Sequence, residues 1–221
     1  MCDRRLFLRG LDRLGIRLEE DSVDDILLYC RELTKWNKRI NLIARNTPPT
    51  EILEKHFLDS LTLLPLINQY GTTSVTLLDV GTGAGFPGMV LAAVMPDLQV
   101  TLLEPRQKRV SFLRHIIRTL QLTNVTVLAD RLEHAGNLAG KNFTFITSRA
   151  LADAGRFLTM IEKVLNPETL AIVMQATGGG EQWTGGSRTE DWQLIESRNF
   201  LLPFSGAPRL LSIIRKRPAD M

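Results

Sequence analysis

Leu77-Leu-Asp-Val-Gly-Thr-Gly-Ala-Gly-Phe-Pro-Gly88 decides how the rest of this 221-residue chain is read. The short apolar run from Val75 to Val80 has the character of a buried strand. It ends in glycines at alternate positions, Gly81, Gly83 and Gly85, and an apolar helix is expected from near Pro87. Proline suits a helix's first turn, where its missing N–H would be unsatisfied anyway. Glycine permits the sharp turn at the strand's end and leaves no Cβ between the chain and a ligand. The free N–H groups of the helix start lie beside that gap. The layout predicts a nucleotide-type site at the carboxyl end of a first parallel strand.

Gly83 to Gly88 also fits the dinucleotide pattern G-x-G-x-x-G, so the glycines alone do not choose a ligand. Two acids narrow the choice. Asp79 extends the stretch to D-x-G-x-G-x-G, the first motif of adenosylmethionine-dependent methyltransferases. Glu104 ends the next apolar run, Val100-Thr-Leu-Leu-Glu104, where a carboxylate can accept hydrogen bonds from both ribose hydroxyls of an adenosine. The competing readings are a plain strand-to-helix turn for the loop and a solvated strand end for Glu104.

From Val75 onward strand and helix patterns alternate. Strands are expected near 75–80, 98–103, 124–128, 143–147 and 169–175, and helices near 87–95, 105–121 and 151–165. Such alternation argues for a parallel sheet covered on both faces. The helix after Glu104 mixes basic and apolar residues and reads as a half-buried crossover with a charged outer face. The glycine-rich segment from Gly178 to Gly186 reads as a mobile loop. Two further strands, 191–198 and 209–215, have no helix between them and suggest an antiparallel hairpin closing the sheet.

Three places here could carry chemistry. Asp130-Arg-Leu-Glu133 follows the third strand, where a backbone N–H or an acid could meet an adenine edge; otherwise it is a helix start. Ser148-Arg149-Ala150 follows the fourth strand beside the expected crevice, and Arg149 either acts there or pairs with Asp153. Arg209, Arg215, Lys216 and Arg217 make a basic tail, either solvated or set against RNA phosphates.

Residues 1 to about 70 read as a helical extension and residues 71–221 as the main domain. Asp21 or Ser22 is a candidate helix cap. Val23, Ile26, Leu27, Cys30, Leu33, Trp36 and Ile40 form one apolar stripe at helical spacing. Asn46-Thr-Pro-Pro-Thr50 breaks the chain, and Thr50 is the next candidate cap, ahead of a face made by Ile52, Leu53, Phe57, Leu61 and Leu64. His56 and Asp59, three apart, are neighbours on a helix surface. They suggest either acid–base chemistry or a structural hydrogen-bonded pair.

Hydrophobic residues make up 44% of the chain, ample for a core, and the net charge of +3 permits an anionic partner without demanding one. No run is long and apolar enough for a membrane span. Cys2 and Cys30 make neither a disulfide framework nor a metal-binding spacing. That points by default to a reducing, cytoplasmic setting, and no metal is expected.

The motifs together resemble the bacterial ribosomal small-subunit methyltransferase G family, also called glucose-inhibited division protein B. The resemblance runs from about Leu14 to Arg217 through Lys35-Trp-Asn-Lys with Asn41-Leu, His56-Phe-Leu-Asp-Ser60, Asp79 to Gly88, Lys108-Arg-Val-Ser-Phe-Leu-Arg114 and Ser148-Arg-Ala150. It implies a Rossmann-like class I methyltransferase fold, an α/β structure with a mostly parallel seven-stranded sheet, an antiparallel C-terminal strand and an N-terminal helical extension. It implies S-adenosylmethionine as cofactor and N7 of one guanine in 16S rRNA as target, within the small ribosomal subunit. Gly81, Phe86, Leu132, Glu133 and Arg149 are implied to line the cofactor site, alongside Asp79, Gly83, Gly85 and Glu104 read from the motif. His56, Arg131 and Arg209, with Arg149, fall at positions tied to activity or RNA binding. Two departures stand out: Ala84 where the family often has proline, and Gln175-Ala-Thr-Gly178 where it often has Lys-Gly.

What is missing agrees with this chemistry. Guanine N7 has an in-plane lone pair and no proton, so its methylation needs no general base. Cytosine carbon-5 methylation would need a cysteine near the fourth strand, and exocyclic amine methylation commonly uses an Asp/Asn-Pro-Pro-aromatic motif where this chain has Thr147-Ser-Arg-Ala150. The alternatives are a dinucleotide-dependent oxidoreductase and a non-catalytic RNA-binding or assembly factor on the same fold. Oligomeric state is left open.

Overall fold

The computed structural model describes residues 2–71, 74–134, 136–138, 140–149, 154–176 and 191–217. Strand β1, Thr76–Val80, sends Leu77 into one hydrophobic cluster and Leu78 and Val80 into another. That period of two is what a strand covered on both faces requires. Six strands join it: β2 Gln99–Leu103, β3 Val125–Leu128, β4 Phe145–Ser148, β5 Leu170–Ala176, β6 Trp192–Leu201 and β7 Pro208–Lys216. The sheet order is β3-β2-β1-β4-β5-β7-β6. β1 to β5 are parallel, and β7 lies antiparallel between β5 and β6. This is the expected Rossmann-like class, and the expected hairpin is there with β6 as its outer strand.

The chain builds outward from β1 to β3 and returns to place β4 on β1's other side. The carboxyl ends of β1 and β4 therefore flank the point where strand order reverses, which is where ligands bind in open α/β sheets. Arg149 directly follows β4, and Gly81 directly follows β1.

Among the described residues the α-helices are α1 Arg4–Arg13, α2 Glu20–Asn37, α3 Pro49–Ile52, α4 Asp59–Leu61, α5 Leu64–Tyr70, α6 Gly88–Val94, α7 Gln107–Thr119 and α8 Ala154–Ile161, with a π-helical turn at Leu53–Leu58. One sheet face is thick: Phe7, Tyr29, Phe57, Met89 and Phe112 pack with Leu77, Val100 and Phe145 in a single cluster. The N-terminal helices thus share the sheet's own core. On the other face Phe157, Leu158 and Ile161 of α8 cover Leu78, Ile146 and Val173.

Several local expectations are corrected. α2 starts at Glu20 without a side-chain cap, and Asp21 lies in its first turn, where a carboxylate suits the helix's positive end. Thr50 is not a cap; Pro49 opens α3 after Pro48, because a helix's first position needs no N–H. The single helix expected over 52–64 is interrupted by the π-helical turn. Glu54 is buried within that turn because its Oε1 accepts from the Phe204 and Ser205 N–H groups at 2.5 and 2.8 Å. Cys2 and Cys30 are joined in a disulfide with their Cα atoms 6.2 Å apart. The start of α1 folds against α2, where Arg4 also meets Glu20 at 2.9 Å, so residues 28 apart in sequence become neighbours. The Gly178–Gly186 loop and Asp153 lie outside the described residues. Among the described residues no helix is long and apolar enough to cross a membrane.

Asn124, 6% exposed, closes the ends of three segments beside the sheet. Its side-chain amide donates to the carbonyls of Ala92, Met95 and Leu98 at 3.0–3.1 Å. Asn124→Leu would leave these carbonyls without that donor, and we expect a loss of about 1–3 kcal/mol in urea unfolding. Asn124→Asp, which sets a carboxylate against them, is expected to lose more.

Candidate cofactor and substrate site

The glycine loop is held from below. Asp79 is fully buried, and its Oδ2 accepts from the Thr82 hydroxyl at 2.6 Å and the Gly88 N–H at 2.8 Å. It therefore ties the two ends of the loop together, a task its place in the motif did not disclose. Burial pushes its carboxyl up to about 6, against the pull of those two hydrogen bonds. Gly85 has φ +96°, and a Cβ there would lie 2.3 Å from Tyr29 Oη, so both backbone and space require glycine. A Cβ on Gly81 would meet nothing within 4 Å, which marks this side of the loop as open.

Glu104 is 2% exposed, which overturns the solvated strand end. Its Oε2 accepts from the Gly83 N–H at 3.0 Å and its Oε1 from the Arg106 N–H at 2.9 Å. Arg109 stands 3.5 Å from Oε2. Each carboxylate oxygen keeps acceptor capacity after these bonds. Beyond β3, a short 3-10 turn at Leu132–His134 buries Leu132 and exposes Glu133. Two buried atoms at this edge, Asp79 Oδ1 and Ser148 Oγ, have no hydrogen-bond partner among the described residues.

Phe86 is the meeting point of the loop and the N-terminal helices. Tyr29 stacks nearly parallel to it at 5.7 Å between ring centroids, His56 stacks at 5.0 Å, and Phe57 meets it edge-on at 5.2 Å. The Tyr29 hydroxyl also donates to the Ala84 carbonyl inside the loop. The guanidinium of Arg149 lies 4.8 Å from the Phe86 ring centroid, within cation–π range. Phe86 is therefore 2% exposed and wrapped by other side chains.

Arg149 also donates to the Lys55 carbonyl and to His56 Nδ1, both at 2.9 Å. Asp59 lies 3.9 Å from Arg149 and accepts from Arg209 Nε at 3.2 Å. His56 and Asp59 thus do not form the pair their spacing suggested; Arg149 stands between them. Burial, reinforced by the charges of Arg149 and Lys55, lowers the His56 pKa to about 3, so the ring is neutral near pH 7. Burial raises the Asp59 pKa, while Arg209 and Arg149 hold it down. A cavity of about 230 Å³ opens among Lys55, Asp59, Arg149, Met174, Gln175 and Arg209.

The fold thus brings together His56, Arg149 and Arg209 of the expected site residues, with His56 and Arg149 against Phe86 and Arg209 joined to them through Asp59. Arg131 is exposed past β3, and no contact among the described residues joins it to that cluster. Sequence reading missed Tyr29, although it sits three residues after Ile26 and four before Leu33 on the same stripe. It also missed Glu54, whose partners come from a distant loop. The basic tail is largely spoken for: Arg209 meets Asp59, Lys216 lies 3.2 Å from Glu162, and Arg215 lies 3.9 Å from Glu168.

Residues 22–205 match the family model described as rRNA small subunit methyltransferase G. A protein of Desulfotalea psychrophila named ribosomal RNA small subunit methyltransferase G is 41% identical over 94% of this chain and 95% of its own length. One of the same name from Geobacter sp. strain M21 is 34% identical over 96% of each. Among solved structures, a mutant of MtNAS in complex with S-adenosylmethionine superposes with a TM-score of 0.59 at 17% identity, covering 88% of this chain and 75% of its own. The YcgJ protein from Bacillus subtilis gives 0.54 at 14% identity, over 72% and 99%. These likenesses show a shared fold.

Two measurements probe the site. Tyr29→Phe keeps the stacking and removes the hydroxyl bond to Ala84, and should lower stability by about 1 kcal/mol in urea unfolding. His56 is depressed from an ordinary 6.5 to about 3. Below 6.5 the unfolded chain takes up a proton that the folded chain refuses, so His56 makes stability fall with pH from there toward 3. In His56→Gln that contribution should vanish, flattening the unfolding midpoint against pH over this window relative to wild type.

Proposed function

The chain belongs to the rRNA small subunit methyltransferase G family, and we propose that it transfers the methyl group of S-adenosylmethionine to N7 of one guanine in 16S rRNA. The residues at the sheet's carboxyl edge suit this cofactor: the loop is open at Gly81, and Glu104 keeps acceptor capacity beside it. Glu104 holds the ribose, the Gly81–Gly85 loop faces the methionine part, and Leu132 with Glu133 meets the adenine. Asp79 keeps that loop in shape from beneath. Bound there, S-adenosylmethionine supplies an electrophilic sulfonium methyl.

The observation that carries the N7 reading is the state of His56. It is neutral, and its Nδ1 lone pair is already taken by Arg149. It is therefore not placed to remove a proton, and guanine N7, whose lone pair attacks directly, does not ask it to. The protein's task is alignment, which can supply roughly 7–11 kcal/mol of a barrier. Arg149, fixed by Phe86, His56 and the Lys55 carbonyl, stands between cofactor and target as the positioning group. Arg209 and Arg131 face the RNA from opposite sides of that point.

The reaction takes place on the small ribosomal subunit in the bacterial cytoplasm. The Cys2–Cys30 bridge removes the cysteine argument for that compartment, which now rests on the substrate.

The test is transfer of labelled methyl to small subunits from cells lacking the endogenous enzyme, followed by nucleoside identification. N7-methylguanosine at a single site is the expected product. Cofactor binding without transfer would favour the non-catalytic RNA-binding alternative. Glu104→Ala should weaken cofactor affinity roughly ten- to a hundredfold in calorimetry, the equivalent of about 1–3 kcal/mol. Unchanged affinity would remove Glu104 from the ribose.

A further inference from the structure

A second cleft, about 480 Å³, opens beside this site between the segment after α2 and the start of α7. Arg39, Asn41 and Arg45 line one side and Arg106, Lys108 and Arg109 the other, with no acid among its lining residues. Arg109 pairs with Glu104, which puts the cleft next to the cofactor edge. Among the described residues Arg39, Arg45, Arg106 and Lys108 enter no ion pair, in contrast to Arg209, Arg215 and Lys216 of the tail.

The walls are built rather than incidental. Trp36 packs on Phe112 and His115, which seats the end of α2 against α7. Asn37 Oδ1 accepts from the Leu42 and Ile43 N–H groups at 2.9 and 3.0 Å, fixing the segment that carries Arg39 and Arg45. Asn41 then orients Arg45 by accepting from its Nε at 3.0 Å. Opposite them, α7 begins with no side-chain cap and no acid in its first turn; Lys108 and Arg109 stand at the helix's positive end. Cations are disfavoured there and anions favoured. Like charges gathered around a helix N-terminus raise the energy of the free protein, and a row of phosphates relieves it.

Resting on the rRNA reading above, we propose that this cleft binds the sugar–phosphate backbone of the substrate RNA flanking the target guanine. It contributes affinity and register, while the Arg149 cluster handles the target itself. Phosphate contacts of this kind position a nucleic acid without reading its sequence.

The test uses the full-length protein with two double variants of exposed residues, Arg39→Ala/Arg45→Ala and Arg106→Ala/Lys108→Ala. The control is Arg5→Ala/Arg9→Ala on the exposed side of α1. Affinity for unmethylated small subunits is measured against salt concentration, alongside cofactor affinity and the single-turnover rate at saturating subunits. Each cleft variant should weaken RNA binding about tenfold and lower the log–log salt slope by about one to two. Cofactor affinity and saturated rate should stay at wild-type values, and the control should match wild type throughout. RNA affinity and slope equal to wild type in both cleft variants would overturn the proposal. So would a loss confined to cofactor affinity, which would make the cleft part of the cofactor's own site. A wild-type protein that binds rRNA but transfers no methyl would defeat the functional reading while the affinity comparison still decides the cleft; no affinity for rRNA at all would sink both.

Discussion

Everything at the carboxyl edge of the sheet depends on how Phe86 is held. It belongs to the glycine loop, yet its neighbours come from elsewhere: Tyr29 from α2, His56 and Phe57 from the π-helical turn, Arg149 from the end of β4. Aromatic contacts of this geometry contribute about 0.5–1.5 kcal/mol each beyond the area they bury. Three such rings and the Arg149 guanidinium enclose it. The N-terminal helices are therefore the back wall of the site, and a change in their packing reaches the loop through Tyr29 and Ala84.

The same contacts settle the charges. Arg149 uses its donors on a carbonyl and a neutral imidazole and its face on a phenyl ring, while Asp59 is shared between it and Arg209. A buried carboxylate flanked by two guanidiniums leaves a positive balance at the edge where an anionic substrate would approach. His56 sits too deep and too close to Arg149 to add a proton of its own. The cluster is cationic and its arginines are each held by several partners, an arrangement that would suit holding reacting atoms in line better than moving protons. The cations of the tail are largely neutralised by local acids, whereas Arg39, Arg45, Arg106 and Lys108 of the cleft beside α7 enter no ion pair among the described residues.

Much of this was legible in the residues. The alternation of apolar runs placed the seven strands, and the glycines after Asp79 placed the turn that ends β1, because these are local patterns with fixed periods. The role of Asp79 was not legible, since the motif shows that an acid stands there but not that it faces down into the core. Nor was the partner of His56: a spacing of three presumes a regular helix, and the buried Glu54, bonded to a loop 150 residues away, goes with a π-helical turn instead. Cys2 and Cys30 failed for the same reason, as nothing local says that the chain's start returns to the middle of α2. Tyr29 was available on an apolar stripe already drawn, and its polar tip was the neglected signal. The cleft needed the structure, because its two walls lie more than 60 residues apart in sequence.

The central claim is that this protein catalyses by alignment, with no side chain exchanging a proton in the transfer step. The direct measurement is the single-turnover rate of methyl transfer to unmethylated small subunits, followed between about pH 6 and 8, where an ordinary histidine changes charge. No step that depends on His56 is expected, because His56 stays neutral across that range and guanine N7 has no proton to lose; a step near pH 6 that persists in His56→Gln belongs to Asp79 beneath the loop. A rate that rises or falls with a single pKa inside the range, and loses that dependence in His56→Gln, would contradict it.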